Sequence, residues 1–326
     1  MRSLQLLPGG GLDGTERMFG PREWKAPQGF PALHGAVALF GLAALFGKWV
    51  PAHPVVIVFA RVLVATAAFL AVMRLLPTPR APPPMPPSRS RPKSLTMRER
   101  LLVAACGGLL AFHWFAFFHS IQLSTVAIGL LSYSTAPVFA ALMEPLWFRE
   151  RFSWPSLGAA LLVVAGVALI VPRWSPGDTQ AVGVFWGVMA GFSFAALSLA
   201  NRQLVRRHAS IRIAFYQDAG AMILLAPLVP FFWRPLAWDE IGLLIALGLF
   251  CTALAHTLFI EALRTVTARV AAIASALEPV YGIALAWLLL DERPDARVFA
   301  GGCLIVAAVV WASLPKIEPR TPQRDP

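Results

Sequence analysis

Several side chains that can bind ions or form hydrogen bonds lie within long apolar stretches of this sequence. His113 and Phe117 are four residues apart, so on a helix they share one face, and Trp114 lies beside them. An imidazole next to aromatic rings suits a cationic or zwitterionic small molecule, through hydrogen bonds and cation–π contacts. The alternative is a histidine that bonds to a neighbouring helix, with the rings serving as packing.

A run of hydroxyl-bearing residues precedes Pro137, namely Ser132, Tyr133, Ser134 and Thr135. A proline within a helix removes one backbone hydrogen bond and loosens the turn before it. The freed carbonyl groups beside these hydroxyls can form a surface for a ligand, and Tyr133 and Ser134 are candidates for it. The alternative is a packing kink whose hydroxyls bond back to the chain.

Glu278 is a third candidate, because it lies in the middle of an apolar stretch, where a carboxylate is costly. Three roles stay open for it: titration with transported protons, contact with a substrate amine, or a protonated or paired state that fixes the helix. Tyr281, three residues later, is grouped with the ligand-binding candidates. Pro279, like Pro137, is grouped with the structural or gating residues.

The sequence repeats itself at an offset of 142 residues, without gaps. Pro137-Val138-Phe139, followed by Glu150-Arg151, recurs as Pro279-Val280-Tyr281, followed by Glu292-Arg293. Each copy lies in apolar runs long enough to cross a bilayer. A duplicated bundle of membrane helices is typical of transporters, because two similar halves can rock around a site between them.

The repeat adds candidates by correspondence. His256 is the counterpart of Trp114, and Thr252 precedes His256 by one turn, so we expect both to face the common centre. Trp186, in the sixth apolar run, is also a candidate for the substrate-binding surface.

Three charged residues within apolar runs are expected to be structural or gating. Arg61 and Asp218 occupy roughly corresponding places in the two copies. We expect them to lie toward opposite faces and to pair with a carbonyl group or a cavity water rather than with each other. Glu144 is interpreted as a gate, or as a carboxylate that reaches the cytoplasmic interface.

The composition excludes an ordinary soluble domain, since 57% of the residues are hydrophobic and only 14% are charged. Cys106, Cys251 and Cys303 each stand alone in an apolar run, and no metal-ligand spacing occurs. No P-loop or GxSxG motif is present, so the sequence predicts neither an enzyme nor a cofactor or metal site.

Ten apolar runs have about the length that a helix needs to cross a bilayer. They span 31–49, 54–76, 101–120, 125–148, 155–172, 182–200, 212–233, 240–263, 267–290 and 297–314. We therefore predict an all-α integral membrane protein with ten transmembrane helices in two five-helix repeats, over 31–172 and 182–314. Because five is odd, the second repeat enters from the opposite side, and the repeats are inverted.

The basic residues predict the orientation, because lysine and arginine are retained on the cytoplasmic side. They are concentrated in the tails 1–30 and 315–326 and in a proline-rich loop, 77–100. We therefore predict that both termini and this loop are cytoplasmic. The net charge of +11 is then a topology signal in a bacterial inner membrane, and predicts no nucleic-acid partner. No signal peptide is visible, and Met18 is an alternative start to Met1.

The repeated segments resemble the EamA-type domain of the drug/metabolite transporter superfamily. The likeness rests on Thr135-Ala136-Pro137-Val138-Phe139 and Glu278-Pro279-Val280-Tyr281, each followed by its acidic-basic turn, and it covers about 31–314. The resemblance implies ten helices in two inverted repeats around a central cavity. Its members move amino acids, other metabolites, nucleotide sugars or drugs, and many bacterial members export.

The sequence therefore predicts a carrier of small organic solutes that works by alternating access, as an exporter of amino acids or related metabolites. The expected partners are a small-molecule substrate and the lipid bilayer, with a coupling proton or a counter-solute left open, as is the oligomeric state. The alternative is a non-transporting membrane sensor or assembly protein built on the same bundle.

Overall fold

The computed structural model describes residues 29–75, 97–148, 154–170, 178–266, 271, 274–275 and 277–313. These residues are almost entirely helical and include no strand. The predicted tails and the proline-rich loop lie outside the described residues, apart from their edges. At these edges, the helix after the N-terminal tail begins at Phe30 and the helix after the proline-rich loop begins at Met97, both earlier than predicted.

The helices of the first half of the chain are α1 (Phe30–Trp49), α2 (Pro54–Leu75), α3 (Met97–Leu123), α4 (Val126–Tyr133), α5 (Ala136–Phe148) and α6 (Trp154–Ile170). Those of the second half are α7 (Thr179–Leu204), α8 (Ser210–Leu225), α9 (Val229–Phe232), α10 (Trp238–Gly248), α11 (Ala255–Ala262), α12 (Glu278–Leu290) and α13 (Ala296–Ser313). A 3₁₀ turn, Ala226–Leu228, joins α8 to α9, and a π-helical segment, Leu249–Leu254, joins α10 to α11.

Seven segments of the described chain are long and apolar enough to cross a membrane, which makes this an integral, multi-pass membrane protein. They are Phe30–Trp49, Pro54–Leu75, Met97–Leu123, Val126–Phe148, Thr179–Leu204, Ser210–Phe232 and Trp238–Ala262. Three shorter apolar helices fall on the remaining predicted runs: Leu157–Ile170, Glu278–Leu290 and Ala296–Ala308. The all-helical membrane fold is thus confirmed, and the count of ten spans stays a prediction.

The predicted helix 125–148 is not continuous, because a turn at Ser134 and Thr135 separates α4 from α5. Pro137 has no N–H group to donate to the carbonyl oxygen of Tyr133, so the helical ladder is interrupted there. The nearby hydroxyls bond back to the chain: Ser134 Oγ donates to Leu130 O at 2.8 Å, and Thr135 Oγ1 donates to Ser132 O at 2.8 Å. These bonds satisfy hydroxyl groups for which lipid offers no hydrogen-bond partner.

The second copy has a break at the equivalent place. Thr135 N donates to Ser132 O at 3.3 Å, and at the repeat offset Leu277 N donates to Ala274 O at 3.0 Å. The predicted helix 267–290 is therefore corrected: the described helix α12 begins at Glu278, with Pro279 in its first turn, where a proline costs no backbone hydrogen bond. Most of residues 267–276 lie outside the described residues.

Helix α7 packs closely against α3 and α4 through a face of small residues. A Cβ atom added to Gly183 would lie 2.8 Å from the Cβ of Ser124, and one added to Gly187 would overlap the Cβ of Ser132. One added to Gly191 would overlap the hydroxyl of Thr135. Small residues let helix backbones approach in lipid, where no hydrophobic effect drives them together. This contact joins α7 to the broken helix of the first half.

We predict that Gly187→Ala lowers the stability of the purified protein, because the new methyl group overlaps Ser132 in a packed interface. Overpacking of this kind costs about 1–3 kcal/mol. Thermal unfolding in detergent measures the effect. Gly242→Ala is the matched control, since a Cβ there meets no atom within 4 Å. Equal melting temperatures for the two variants would contradict this account of the interface.

Candidate functional site

A cavity lies at the centre of the bundle, where helices α1, α2, α3, α4, α7, α11 and α12 converge. Aromatic and aliphatic side chains form most of its wall, with a few polar groups among them. The lining residues are Phe40, Ala43, Arg61, Leu110, His113, Trp114, Phe117, Tyr133, Phe194, Leu197, Asn201, His256, Phe259 and Glu278. An apolar cavity with a few convergent polar groups is the usual form of a small-molecule site.

Arg61 contributes the positive charge of this site and is only 1% exposed. Its Nε donates to Thr252 Oγ1 at 2.8 Å, and its Nη2 donates to the carbonyl oxygen of Cys251 at 3.0 Å. Both acceptors lie in the π-helical segment, a helix form that occurs often at functional sites. The guanidinium group lies 3.9 Å from the centre of the Trp114 ring, which gives a cation–π contact.

Asp218 and His256 form a buried pair beside Arg61. His256 Nδ1 lies 3.3 Å from Asp218 Oδ2, and the His256 ring lies 5.9 Å from the Trp114 ring. Arg61 and Asp218 therefore reach one cluster, although the structure has no direct ion pair between them. The expectation that they lie toward opposite faces was wrong, because α2 packs directly against α8 and both side chains reach this cluster.

His113 combines the two roles that the sequence left as alternatives. Its Nδ1 lies 2.9 Å from the carbonyl oxygen of Ala190, which only accepts, so Nδ1 carries the proton and Nε2 is left as an acceptor. The ring also packs against Tyr133 at 5.6 Å and Phe194 at 5.2 Å between ring centres, and it lines the cavity. The bond to α7 thus fixes an imidazole within the aromatic wall.

Glu278 lies at the start of α12 and is 3% exposed. Among the described residues, its Oε2 atom has no hydrogen-bond partner. The position at a helix N-terminus favours a negative charge or an accepted hydrogen bond there. Helix α12 lies close to α1, since a Cβ atom on Gly41 would come within 3.0 Å of the Glu278 carbonyl oxygen. The carboxyl group is thereby held at the cavity wall.

A second cavity adjoins the first. Tyr133, Phe194 and Phe259 line both cavities, so these three rings form the common wall. Their centres lie 5.4 Å apart for Tyr133 and Phe194, and 5.3 Å apart for Phe194 and Phe259. Ser134, Pro137 and Arg202 line the rest of the second cavity, together with mostly apolar neighbours.

Ion pairs connect the two halves of the chain on either side of the cavities. Glu144, in α5, pairs with Arg202 near the end of α7. At the other end, Glu292 lies 3.9 Å from Lys48 and accepts a hydrogen bond from Val126 N at 2.8 Å. We refer to the first contact as the Glu144 latch and to the second as the Glu292 latch. Each contact must break if the halves separate at that end.

Six of the ten predicted substrate-binding residues line the central cavity: His113, Trp114, Phe117, Tyr133, His256 and Glu278. Ser134 lines the second cavity, and Thr252 lies behind Arg61 as its hydrogen-bond acceptor.

Like Thr252, Trp186 and Tyr281 line neither of the two cavities. Trp186 packs with Phe115 and His119, because it lies two turns of α7 away from Phe194. Tyr281 is 37% exposed, and its Cβ atom lies beside Gly41 of α1.

Sequence reasoning missed Asn201, which lines the cavity and accepts a 2.7 Å hydrogen bond from Gln217 Nε2. The sixth run was predicted to end at residue 200, whereas α7 continues to Leu204 and carries Asn201 into the core. Phe194 was also missed. The sequence repeat could have indicated Phe259 as a lining residue, because Phe259 is the repeat counterpart of Phe117.

Comparison with known proteins identifies the family. The model of the EamA-like transporter family matches residues 29–171 and again residues 181–314, which together cover most of the chain. The protein belongs to the EamA-like transporter family. It is therefore a membrane transporter of the drug/metabolite transporter superfamily, as the sequence predicted.

Named relatives of this EamA-like protein agree with that assignment. The pseudopaline exporter of Pseudomonas aeruginosa (strain UCBPP-PA14) is 30% identical over 64% of this chain and 74% of its own length. The S-adenosylmethionine uptake transporter of Rickettsia conorii is 23% identical over 63% and 69%. A solved crystal structure superposes with a TM-score of 0.60 at 20% identity, over 87% of this chain and 96% of the other, which shows a shared fold.

We predict that Arg61→Gln destabilises this EamA-like protein strongly, because Asp218 then lacks its counter-charge. Removing one partner of a buried charge pair costs about 3–5 kcal/mol. In Arg61→Gln/Asp218→Asn both charges are gone, so the double variant should be more stable than the sum of the single losses predicts. Unfolding in detergent, run as a double-mutant cycle, should give a coupling of about 0.5–3 kcal/mol. Strict additivity would show that the two charges do not interact.

Proposed function

We propose that this protein carries small organic solutes across the inner membrane by alternating access, and that it exports amino acids or related metabolites. The observation that carries the proposal is the central cavity, in which Arg61, His256 and Glu278 converge within an aromatic wall. Polar residues at membrane depth are expensive and usually mark a transport pathway. The helices that line the cavity come from both halves of the chain.

The architecture we propose is ten transmembrane helices in two inverted five-helix repeats, over 31–172 and 182–314. Two observations support it. The family model matches the two halves separately. The helix breaks at Thr135 and Leu277 also have the same backbone hydrogen bonds at the repeat offset. With both termini cytoplasmic, the Glu144 latch lies toward the cytoplasm and the Glu292 latch lies outside.

The chemistry of the cavity suits a solute with a cationic group and an apolar part. Trp114, Phe117 and Tyr133 offer ring faces to a cation or to an apolar side chain. Glu278 offers a carboxyl oxygen to an ammonium group, and His113 Nε2 offers a further acceptor. Export is proposed from the family resemblance, in which many bacterial members export.

Alternating access requires that the two latches open in turn. In the described conformation both contacts are formed, and the three-ring wall separates the central cavity from the second one. Opening of the Glu144 latch and rotation of the three rings would connect the central site with the cytoplasmic side. Opening of the Glu292 latch would connect it with the outside.

We predict that Trp114→Ala weakens substrate binding and transport, because the cation–π surface of the cavity is lost. A contact of this kind contributes about 0.5–2 kcal/mol, or roughly 2- to 30-fold in affinity. His113→Ala should act in the same direction. Efflux from proteoliposomes loaded with a mixture of amino acids measures the effect. Trp238→Ala is the control, because that ring lies on the surface, 88% exposed.

The alternative, a non-transporting sensor or assembly protein, makes the opposite prediction. In that case no amino acid leaves the proteoliposomes faster than from empty vesicles, and the cavity variants change stability alone.

We predict that the α9–α10 loop faces the outside and the α7–α8 loop faces the cytoplasm. A cysteine at Asp239 and a cysteine at Arg206, each in a Cys303→Ser background, test this orientation, because both positions are exposed and Cys303 is an exposed free thiol. A membrane-impermeant maleimide should label the cysteine at 239 in intact cells and the one at 206 only after lysis. The reverse pattern would invert the proposed topology.

A further inference from the structure

The guanidinium group of Arg61 has hydrogen-bond donors that the described part of the protein does not use. Its Nε and Nη2 atoms lie along one edge of the planar group, and their acceptors, Thr252 Oγ1 and Cys251 O, belong to consecutive residues. The end-on edge, formed by Nη1 and the second N–H of Nη2, has no acceptor among the described residues. Because Arg61 is buried and lines the central cavity, an acceptor for this edge has to reach it through that cavity.

Asp218 does not occupy the end-on edge of Arg61. In the part of the chain that the structure describes, Asp218 Oδ2 lies 3.3 Å from His256 Nδ1 and makes no direct ion pair with Arg61. The ring of Trp114 lies 3.9 Å from the guanidinium carbon and covers one face of the group. Asp218 therefore compensates charge at a distance, and the short hydrogen bonds of the end-on edge are still to be made.

Asn201 offers a second unused donor to the same cavity. Its Oδ1 atom accepts a hydrogen bond from Gln217 Nε2 at 2.7 Å, which fixes the orientation of the amide and leaves Nδ2 with no acceptor among the described residues. The side chain is buried, and it lines the central cavity together with Arg61. Arg61 belongs to α2 and Asn201 to α7, so a ligand that bonds to both joins the two halves of the chain.

A carboxylate group matches these donors. Its two oxygen atoms accept parallel hydrogen bonds from the end-on edge of a guanidinium group, and they keep lone pairs for a further donor such as the amide of Asn201. A hydroxyl group has only one oxygen atom and cannot bridge the edge. A phosphate group would bring about two negative charges into a cavity that already has the Glu278 carboxyl group in its wall.

We propose that the end-on edge of Arg61 and the amide of Asn201 form a carboxylate-binding subsite, so that the protein carries zwitterionic amino acids and rejects plain amines. The inference rests on the proposed function and narrows its substrate class. The substrate's carboxylate binds at Arg61 and Asn201. Its ammonium group binds at the acceptors Glu278 and His113, which line the same cavity.

The two ends of the substrate are thus recognised by different groups. A zwitterion adds no net charge to the cavity, whatever the protonation state of His256. A plain amine leaves the donors of Arg61 and Asn201 without an acceptor, and an unmade bond at a buried donor costs the desolvation of that group. A site built to bind one polar group of its substrate therefore discriminates strongly against an analogue that lacks the group.

Ligands that differ only in the carboxylate test the subsite on the unmodified, full-length protein. Leucine is compared with leucinol, and phenylalanine with phenylalaninol, since each alcohol keeps the ammonium group and the apolar side chain. Thermal unfolding in detergent over a range of ligand concentrations gives the affinities. We expect each amino acid to bind roughly tenfold or more tightly than its alcohol, because charge-assisted hydrogen bonds are lost in the alcohol.

Two substitutions locate the subsite. Asn201→Leu removes the Nδ2 donor and should lower the preference for leucine over leucinol several-fold. Arg61→Lys keeps a positive charge near Asp218 but lacks the two-donor edge, so it should lower the same preference. Gln203→Leu is the matched control and should keep the preference, because Gln203 is an exposed amide on α7 that lines neither cavity. A purely structural role of Asn201 would weaken leucine and leucinol equally.

The outcomes separate this inference from the proposed function. Equal affinities for leucine and leucinol, or a preference that both substitutions leave intact, overturn the carboxylate subsite and leave a carrier of amines. If none of the four compounds raises the melting temperature, the amino-acid class of the proposed function fails, and this inference fails with it. The comparison of leucine with leucinol needs no variant, so equal affinities overturn the inference even if a substitution prevents folding.

Discussion

The burial of the Arg61 guanidinium group is the constraint on which the centre of this structure depends. A charge at 1% exposure is tolerated only if its hydrogen bonds and its counter-charge are supplied by the protein. The π-helical segment supplies the Thr252 hydroxyl and the Cys251 carbonyl, α3 supplies the Trp114 ring, and α8 supplies Asp218 through His256. One side chain of α2 thus fixes the relative positions of helices that are far apart in sequence.

Helix breaks supply the second part of the site, since regular helices would place no backbone group at the cavity. Pro137 interrupts the first half after Tyr133, and Pro279 allows α12 to begin at Glu278. At the first break, Thr135 Oγ1 donates to Ser132 O, so this hydroxyl is bonded within the chain. The carboxyl group of Glu278 is therefore held at a helix start, where free backbone N–H groups favour negative charge.

The contacts between the two halves of the chain are of two kinds, the glycine face of α7 and the Glu144 and Glu292 latches. Gly183, Gly187 and Gly191 let α7 approach α3 and α4 closely. The Glu144 and Glu292 latches join the two halves at opposite ends and are partly exposed, so water compensates each group when it opens. Alternating access requires a fixed binding site at the centre and ion pairs at the two ends that can break in turn.

The sequence alone determined the membrane class, the family and six of the fourteen residues that line the central cavity. Apolar length, an ungapped repeat and polar residues at membrane depth are all local signals. His113, Trp114 and Glu278 were found in this way. Only the tertiary structure decided that Arg61 and Asp218 share one cluster, that Asn201 is buried, and that Trp186 and Tyr281 line neither cavity. Those outcomes depend on where helices end and how they rotate against their neighbours, which are properties of packing between distant segments.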